Sequence, residues 1–365
     1  MLDGIRIIEI EGLGPGPFAA MMLADLGADV IVVHRKGGGG AGAPDKAARN
    51  LLDRGKRSIA LDLKDPADMD TVKRLVACSD GLIEGFRPGV MERLGLGPED
   101  AHGINPALVY GRMTGWGQDG PRSLQAGHDL NYIGLSGALW YASPAGQPPF
   151  TPPTMVGDIG GGALYLVAGM LAGIIRAGRS GRGTVVDAAI VDGSAHMMNL
   201  LMSLNVAGGL SMMRGQSLLD GPHWSRCYTC ADGKFLSVQC LEPKFYAIFL
   251  ELLGLSDDAD FAARQYDKAA WPDLSERLAA MFAAQPLAHW LALFDGSDAC
   301  VGPVNAPDAA AGDAHIAARG IWQQSDGVLQ AAAAPRFDGQ APDRPRPAPE
   351  RGQDTDAILA ELAGD

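Results

Sequence analysis

Hydrophobic positions near the start of the chain alternate between short strand-like runs and longer helix-like runs. Residues 5–10 form an apolar stretch typical of a buried strand, and residues 29–33 form a second one that is rich in valine and isoleucine. Between them, the glycine- and proline-rich stretch 12–17 indicates a loop, and residues 18–26 follow with a helical pattern that ends at Gly27. A strand, a loop, a helix and a second strand make a βαβ unit.

The same alternation continues along the first half of the chain and changes character later. We predict further strands at 57–61, 81–84, 108–112 and 184–188, and further helices near 66–76, from 129, and over about 159–177. This alternation predicts an α/β fold, with a large domain over residues 1–200. Shorter strands and helices predict a smaller α+β domain over 220–320, and a proline-rich stretch with a short helix forms a C-terminal segment, 330–365.

Composition and charge exclude several classes of function. The net charge of −13 argues against a nucleic-acid partner, because phosphate binding needs a basic surface. No apolar run reaches the roughly 18 residues of a membrane span, and the N-terminus lacks a signal-peptide pattern, so we expect a cytoplasmic protein with no membrane partner. The five cysteines include Cys227 and Cys230, half of a zinc pattern without a second pair, so we expect no metal site.

Three short patterns contain candidate catalytic residues. His128 is one of seven histidines, but Gly127 before it allows close backbone approach, and Asp129 after it would lie near a helix N-terminus that could bind an oxyanion. Asp158 precedes the glycines 160–162, and it could be an ordinary helix N-cap. Alternatively it could be a base, with glycines beside it because a ligand or a closely crossing helix needs backbone without side chains there. Glu242 could lie in a solvated turn or orient a histidine.

Four basic residues form a candidate set, and three of them lie at or near the carboxyl ends of predicted strands. The four are Arg35, Lys64, Arg87 and Arg93. Any one of them could be ordinary surface charge, but open α/β sheets bind ligands at the carboxyl ends of their strands, where phosphates are natural ligands. The 12–17 loop does not match the dinucleotide fingerprint, because Pro15 and Pro17 lack the N–H donors that a pyrophosphate needs, so we reject NAD binding.

Longer segments resemble a known family. They are EIEGLGPGPFAAMMLADLGADV (9–30), KRSIALDLK (56–64), EGFRPGVMERLGLG (84–97), MTGWGQDGP (113–121), GHDLNY (127–132), GDIGGG (157–162) and GTVVDAAIVDGS (183–194). Together with SDAC (297–300) and APRF (334–337), they are similar to the family III CoA-transferase superfamily, and within it to the α-methylacyl-CoA racemase branch. The resemblance extends from residue 2 to about 360.

The resemblance implies a fold, a site and a reaction. It implies an interlocked homodimer with a Rossmann-like large domain to which the C-terminal segment returns, and R/S interconversion at C2 of 2-methylacyl-CoA thioesters without a cofactor, CoA being part of the substrate. The catalytic pair falls on His128 and Asp158, and the supporting glutamate, from the partner, falls on Glu242. The implied CoA contacts are Arg35, Leu61, Asp62, Leu63, Lys64, Gly85, Phe86, Arg87, Arg93, Gly127, Asp129, Leu130, Asn131 and Tyr132.

The sequence departs from the racemase pattern at two places and leaves one alternative open. Ser225 stands near where racemases can place a tyrosine close to the catalytic aspartate, and the loop 36–43 is unusually rich in glycine. The transferase branch of the superfamily uses an aspartate nucleophile at the position of Asp158 and generally lacks the histidine found here at His128. The acyl group is not specified; the methionines at 197, 198, 202, 212 and 213 could line its pocket or be ordinary core residues.

Overall fold

The computed structural model describes residues 1–37, 50–325, 327–340, 343 and 345–364. The strands are β1 Arg6–Ile10, β2 Asp29–Arg35, β3 Arg57–Leu61, β4 Gly81–Glu84, β5 Val109–Thr114, β6 Thr184–Ala189, β7 Ser225–Thr229, β8 Phe235–Gln239, β9 Val301–Val304, β10 Trp322–Ser325 and β11 Val328–Ala331. The α-helices are α1 Pro15–Asp25, α2 Pro66–Ala77, α3 Val90–Arg93, α4 Pro98–Ile104, α5 Asp129–Ser136, α6 Leu164–Ser180, α7 Ile190–Met197, α8 Asn199–Val206, α9 Pro243–Leu253, α10 Ala259–Ala263, α11 Trp271–Phe282, α12 Leu287–Phe294, α13 Pro307–Ala311, α14 Ala314–Ala318 and α15 Thr355–Gly364. A 3-10 helix covers Leu51–Asp53, and a π-helix covers Met155–Ala163 and leads directly into α6.

The chain divides into two compact units. The first contains residues 1–139, 151–198 and 319–365, and the second contains 140–150 and 199–318. The segment 140–150 therefore belongs to the second unit, although residues of the first unit precede and follow it. Within the second unit, Arg214 Nη2 donates hydrogen bonds to the carbonyl oxygens of Ser143, Pro144 and Gln147, at 3.2, 2.6 and 2.7 Å. These contacts attach the segment to that unit.

A six-stranded sheet forms the centre of the first unit. Its order is β3-β2-β1-β4-β5-β6, and each neighbouring pair is parallel. This is the Rossmann strand order, so the predicted α/β fold is confirmed. Because the strands are parallel, all of their carboxyl ends lie at one edge of the sheet. The chain reverses its direction of winding between β1 and β4, which is where such sheets bind ligands.

Helices cover both faces of this sheet. Successive strand residues point to opposite faces, and the two neighbours Ile7 and Ile8, both fully buried, accordingly belong to different core clusters. Ile7 packs in a cluster with residues of α1 and α6, such as Leu23 and Met170. Ile8 belongs to a cluster that includes Ile358 of α15, so the C-terminal helix contributes to the core of the first unit.

The second unit has a small antiparallel sheet packed with helices. Its strand order is β7-β8-β9, and both pairs are antiparallel. The core is rich in aromatic side chains: Trp224, Phe249 and Phe282 are each at most 1% exposed. The ring planes of Phe249 and Phe294 are stacked with centroids 5.8 Å apart. The predicted α+β character of this region agrees with these elements.

One continuous helical segment of the first unit is long and apolar. Met155–Ser180, which comprises the π-helix and α6, has the length and composition of a membrane-crossing helix. In its apolar stretch of 18 residues, 39% is buried inside the protein. One face of it packs on the central sheet, with Leu166 and Met170 fully buried. A core helix of this kind meets the same length and composition criteria as a membrane span.

Glycines allow the π-helix to cross α7 at very close range. A Cβ atom added at Gly193 would lie 1.9 Å from the carbonyl oxygen of Gly161, and one added at Gly161 would lie 2.7 Å from the backbone nitrogen of Ser194. Both positions therefore require glycine. For the glycines of the GDIGGG motif we considered two explanations, a bound ligand or a closely crossing helix. The structure shows the close helix crossing.

This crossing predicts opposite effects for two glycine-to-alanine substitutions. Gly193→Ala is expected to reduce the free energy of unfolding by about 1–3 kcal/mol, because the two backbones must separate. Gly178→Ala, in the exposed last turns of α6 where an added Cβ meets nothing within 4 Å, is expected to increase it by about 0.4–1 kcal/mol. Urea denaturation of both variants measures the difference, and equal effects would contradict the proposed crossing constraint.

Candidate functional site

His128 lies at the N-cap of α5, at the carboxyl edge of the central sheet. Its backbone is extended, and its N–H donates to Oδ1 of Asn131 at 3.0 Å, which fixes the first turn of the helix. The His128 side chain is exposed. The backbone of His128 is therefore fixed by the cap while its side chain is accessible, as a group that exchanges protons with a ligand requires.

Asp158 lies inside the π-helix, and this corrects one interpretation of the sequence. The helix begins at Met155, four residues before the predicted start, so Asp158 is not its N-cap; that position belongs to Thr154. The N–H of Asp158 donates to Oδ1 of Asp129 at 2.9 Å. π-Helical turns are rare and occur frequently at functional sites. The aspartate is thus held by an irregular turn that is bonded to α5.

The loop between β1 and α1 also reaches Asp158. A Cβ atom added at Gly14 would lie 3.7 Å from Asp158 Oδ2, and Gly14 has a φ of +68°, which favours glycine. We rejected this loop as a dinucleotide site and did not predict its approach to the candidate catalytic carboxylate. Its glycine–proline composition indicated only a turn. The contact could not be read from the sequence, because Asp158 is 144 residues away from Gly14 in the chain.

The electrostatic surroundings of Asp158 suit proton transfer. Its pKa is raised from the usual 3.8 to about 6, mainly because the carboxyl group is half-buried. The negative charge of Asp129 raises this pKa further, whereas the charge of His128 lowers it. Partial burial and the charge of Asp129 thus keep a larger fraction of Asp158 protonated near neutral pH than for an ordinary aspartate, which suits a group that donates as well as accepts a proton.

Tyr132 lies between the candidate catalytic pair and the predicted CoA-binding residues. Its ring lies against Gly115, where an added Cβ would be 2.0 Å from the ring, and its hydroxyl donates to the carbonyl oxygen of Gly127. The pKa of Tyr132 is raised by burial and by the charge of Asp158, and is lowered by Arg87. The hydroxyl of Tyr132 therefore fixes the backbone just before His128. The charges of both Asp158 and Arg87 act on the same hydroxyl group.

The residues that follow β2 and β3 lie at the same edge of the sheet. Arg35 ends β2, and its N–H donates to Oε2 of Glu11 at 2.8 Å. Leu61 ends β3 and is buried, while Lys64 is exposed and its N–H donates to Oδ1 of Asp62 at 3.0 Å. Residues 38–43 of the glycine-rich loop 36–43 lie outside the described residues.

A buried ion-pair network supports the loop after β4. Glu84, only 1% exposed, accepts a hydrogen bond from the N–H of Phe86 at 2.7 Å and forms an ion pair with Arg112 at 3.1 Å. Arg112 also pairs with Glu92 at 2.8 Å. This network holds both the Gly85–Arg87 loop and the helix that carries Arg93. Its acidic members appeared in the sequence only as strand and helix residues, so we did not predict them.

Four exposed cations share this edge of the first unit. They are Arg35, Lys64, Arg87 and Arg93. None of their side chains forms an ion pair with another residue in the part of the chain that the structure describes. Local positive charge is therefore available for an anion, although the whole chain carries a net charge of −13.

Glu242 and Ser225 belong to the second unit. Glu242 is the N-cap of α9, and its charge contributes, after burial, to raising the pKa of Cys300. Ser225 begins β7, is buried, and accepts a hydrogen bond from Gln239 Nε2 at 3.4 Å. Among the described residues of both units, no group of three His, Cys, Asp or Glu side chains is placed to hold a metal ion.

Comparisons with known proteins agree with the resemblance found in the sequence. The model of CoA-transferase family III matches residues 2–355. The chain is 42% identical over 306 residues to α-methylacyl-CoA racemase of Mus musculus, and 41% identical over 305 residues to that of Homo sapiens. Each alignment covers 83% of this chain and 77% of the relative. A crystal structure of a CaiB/BaiF family protein from Brucella suis has a TM-score of 0.81 at 28% identity, with 99% of both chains covered. The predicted resemblance is confirmed: the chain belongs to CoA-transferase family III.

Proposed function

We propose that the protein interconverts the R and S epimers of 2-methylacyl-CoA thioesters by moving the proton on C2. The observation that carries the proposal is that His128, at the N-cap of α5, lies close enough to Asp158 for its charge to act on the Asp158 carboxyl group. The racemases of mouse and human, at 42% and 41% identity, support this choice of reaction. In the transferase branch, a histidine at the position of His128 is not expected.

The chemistry needs one proton-transfer group on each face of C2. The thioester acidifies the C2 hydrogen, so His128 removes the proton from the S epimer and leaves an enolate, to which Asp158 returns a proton on the other face. In the reverse direction Asp158 is the base and His128 the acid. A carboxyl group with a pKa of about 6 holds its proton in an appreciable fraction of molecules near neutral pH, so it can serve in both roles.

The enolate oxygen carries the charge that forms during the reaction. The first N–H groups of a helix have no partner within that helix, and together with the helix dipole they stabilise a nearby anion. In α5, the carbonyl oxygen of His128 accepts hydrogen bonds from Asn131 and Tyr132, and the N–H groups of Asp129 and Leu130 precede them. We assign those two donors to the enolate oxygen, a role usually worth several kcal/mol.

The rest of the proposal concerns CoA and the partner subunit. The four exposed cations at the carboxyl edge suit the phosphates of CoA, and the thioester substrate needs neither a metal nor an organic cofactor for this reaction. By resemblance to the family, two chains form an interlocked homodimer, and Glu242 of one chain orients His128 of the other.

The proposal is tested by incubating pure (S)-2-methylacyl-CoA with the protein in D₂O. Deuterium at C2, detected by NMR or mass spectrometry, together with loss of optical purity is the expected result. Absence of exchange at C2 would reject the racemase function.

The same preparation separates the reaction from a family III CoA transfer. In that reaction Asp158 would attack the thioester and form a mixed anhydride, which hydroxylamine traps as a protein hydroxamate. We expect no hydroxamate at Asp158. Trapping without C2 exchange would favour the transferase instead.

A further inference from the structure

A second carboxylate is built against the backbone of Asp158. Asp129, the first residue of α5, is 7% exposed, and its Oδ1 accepts the N–H of Asp158 at 2.9 Å. The contact leaves no room for a side chain at the preceding residue: a Cβ added at Gly157 would lie 2.2 Å from the same oxygen. Glycine at 157 and aspartate at 129 therefore fit each other, and the hydrogen bond fixes the turn from which Asp158 projects.

The two carboxyl groups also interact through their charges. After burial, the charge of Asp129 is the next largest contribution to the raised pKa of Asp158, and it acts against the contribution of His128. A like charge held nearby makes the ionised form of a carboxyl group less favourable. Asp129 thus acts on Asp158 in two ways. Its side chain accepts a hydrogen bond from the backbone N–H of Asp158, and its negative charge raises the pKa of the Asp158 carboxyl group.

Other charged groups on the elements around the π-helix either have hydrogen-bond or ion-pair partners or are exposed. Arg112 on β5 is paired with Glu84 and Glu92, and Asp187 on β6 accepts the N–H of Gln118 at 3.1 Å. On α7, His196 is bonded to the hydroxyl of Tyr165, and Asp192 is exposed. Asp25 of α1 is paired with Arg54, and Arg176 and Arg179 of α6 are exposed. Within the described residues, the charges that act on the protonation of Asp158 are those of Asp129 and His128.

We propose that the Asp129 side chain is a positioning residue for the reaction, which holds the Asp158 turn and keeps Asp158 able to act as an acid as well as a base. This inference rests on the proposed function, because it assigns Asp158 a proton-transfer role. It differs from the role of the Asp129 backbone N–H, which faces the enolate oxygen in the proposed mechanism. Asp129 itself exchanges no proton with the substrate.

The test uses Asp129→Asn, which keeps an oxygen acceptor for the N–H of Asp158 but removes the charge. Removing a like charge lowers the pKa of Asp158, so the acid limb of kcat/KM for the R epimer is expected to move to lower pH by roughly half a unit to one unit. At the same time, delivery of a proton to the S-derived enolate weakens, because less Asp158 is protonated. The kcat from the S epimer at neutral pH should therefore fall more than the kcat from the R epimer.

A matched variant and a second substitution make the outcome decisive. Asp192→Asn removes the same charge from α7, which also packs against the π-helix, and should leave the acid limb in place. If Asp129→Asn does not fold, Asp129→Ser supplies a smaller neutral acceptor with the same expected shift. C2 exchange by the wild type with superimposable pH profiles for wild type and Asp129→Asn would overturn this inference alone. Absence of C2 exchange in the wild type would overturn the proposed function.

Discussion

His128→Ala is expected to lower the rate of C2 racemisation by roughly 10²–10⁴-fold while the free energy of unfolding stays near the wild-type value. The imidazole is exposed at the N-cap of α5, and the capping contact of this residue is made by its backbone. Removing the side chain therefore takes away a proton-transfer group without opening a cavity. The rate is measured by polarimetry or chiral chromatography from each pure epimer.

We also expect His128→Ala to exchange the C2 hydrogen of the two epimers unequally, which a simple loss of folding would not produce. If His128 serves the S epimer and Asp158 the R epimer, His128→Ala should still exchange the C2 hydrogen of the R epimer with D₂O, slowly and without inversion. Asp158→Asn should show the mirror pattern, with exchange retained only from the S epimer. Each base would then be identified by the epimer whose exchange disappears.

The control is a histidine of similar exposure outside the site. His315→Ala, in α14 of the second unit, should leave both epimers racemising at wild-type rates. Wild-type racemisation by His128→Ala, or equal loss of exchange from both epimers in both site variants, would contradict the assignment of one base to each face.

The central sheet was predictable because its inner strands β1, β2, β4 and β5 are buried on both faces. Parallel strands of this kind appear in the sequence as continuous runs of isoleucine, leucine and valine, and β3 and β4 begin and end at the predicted residues. Helix starts were less predictable: α1 begins at Pro15, three residues before the helical pattern indicated. Proline fits the first turn of a helix, where its missing N–H removes no hydrogen bond, so the loop residues extend the helix instead of ending before it.

The turn that carries Asp158 was not predictable, because its geometry depends on contacts between distant segments. The apolar spacing of 159–177 indicated a regular helix, whereas the π-helix begins at Met155 and is packed against α5 and α7. The bond between Asp158 and Asp129 joins positions 29 residues apart. In the same way, nothing local in 140–150 indicates that Arg214 attaches this segment to the second unit.

Lys56→Met is expected to have the largest effect on stability, reducing the free energy of unfolding by about 3–5 kcal/mol. Lys56 is fully buried, and its Nζ donates to Oε2 of Glu9 at 2.5 Å and to the carbonyl oxygen of Pro17 at 3.2 Å. Asp53 lies 3.4 Å from the same nitrogen. Removing the ammonium group leaves Glu9, itself 1% exposed, as a buried charge without its partner. Urea denaturation at neutral pH measures the loss.

The pH dependence of this loss separates an uncompensated charge from a packing defect. Burial already raises the pKa of Glu9 above its usual 4.5, and the charge of Lys56 opposes that increase. Without Lys56 the folded-state pKa of Glu9 rises further above its unfolded value, so ionised Glu9 costs stability at high pH and the cost disappears as falling pH protonates it in the folded state. The deficit of Lys56→Met should therefore shrink as the pH is lowered from about 8 towards about 5.

A double variant completes the test. In Lys56→Met/Glu9→Gln the buried carboxylate is neutral, so the double variant should be more stable than Lys56→Met alone at neutral pH, even though it carries one more substitution. A deficit that is independent of pH and is increased by Glu9→Gln would instead mean that Lys56 contributes through packing and its bond to Pro17. Because that bond holds the first turn of α1, which follows the loop against Asp158, loss of Lys56 should also slow C2 exchange in the fraction of the protein that remains folded.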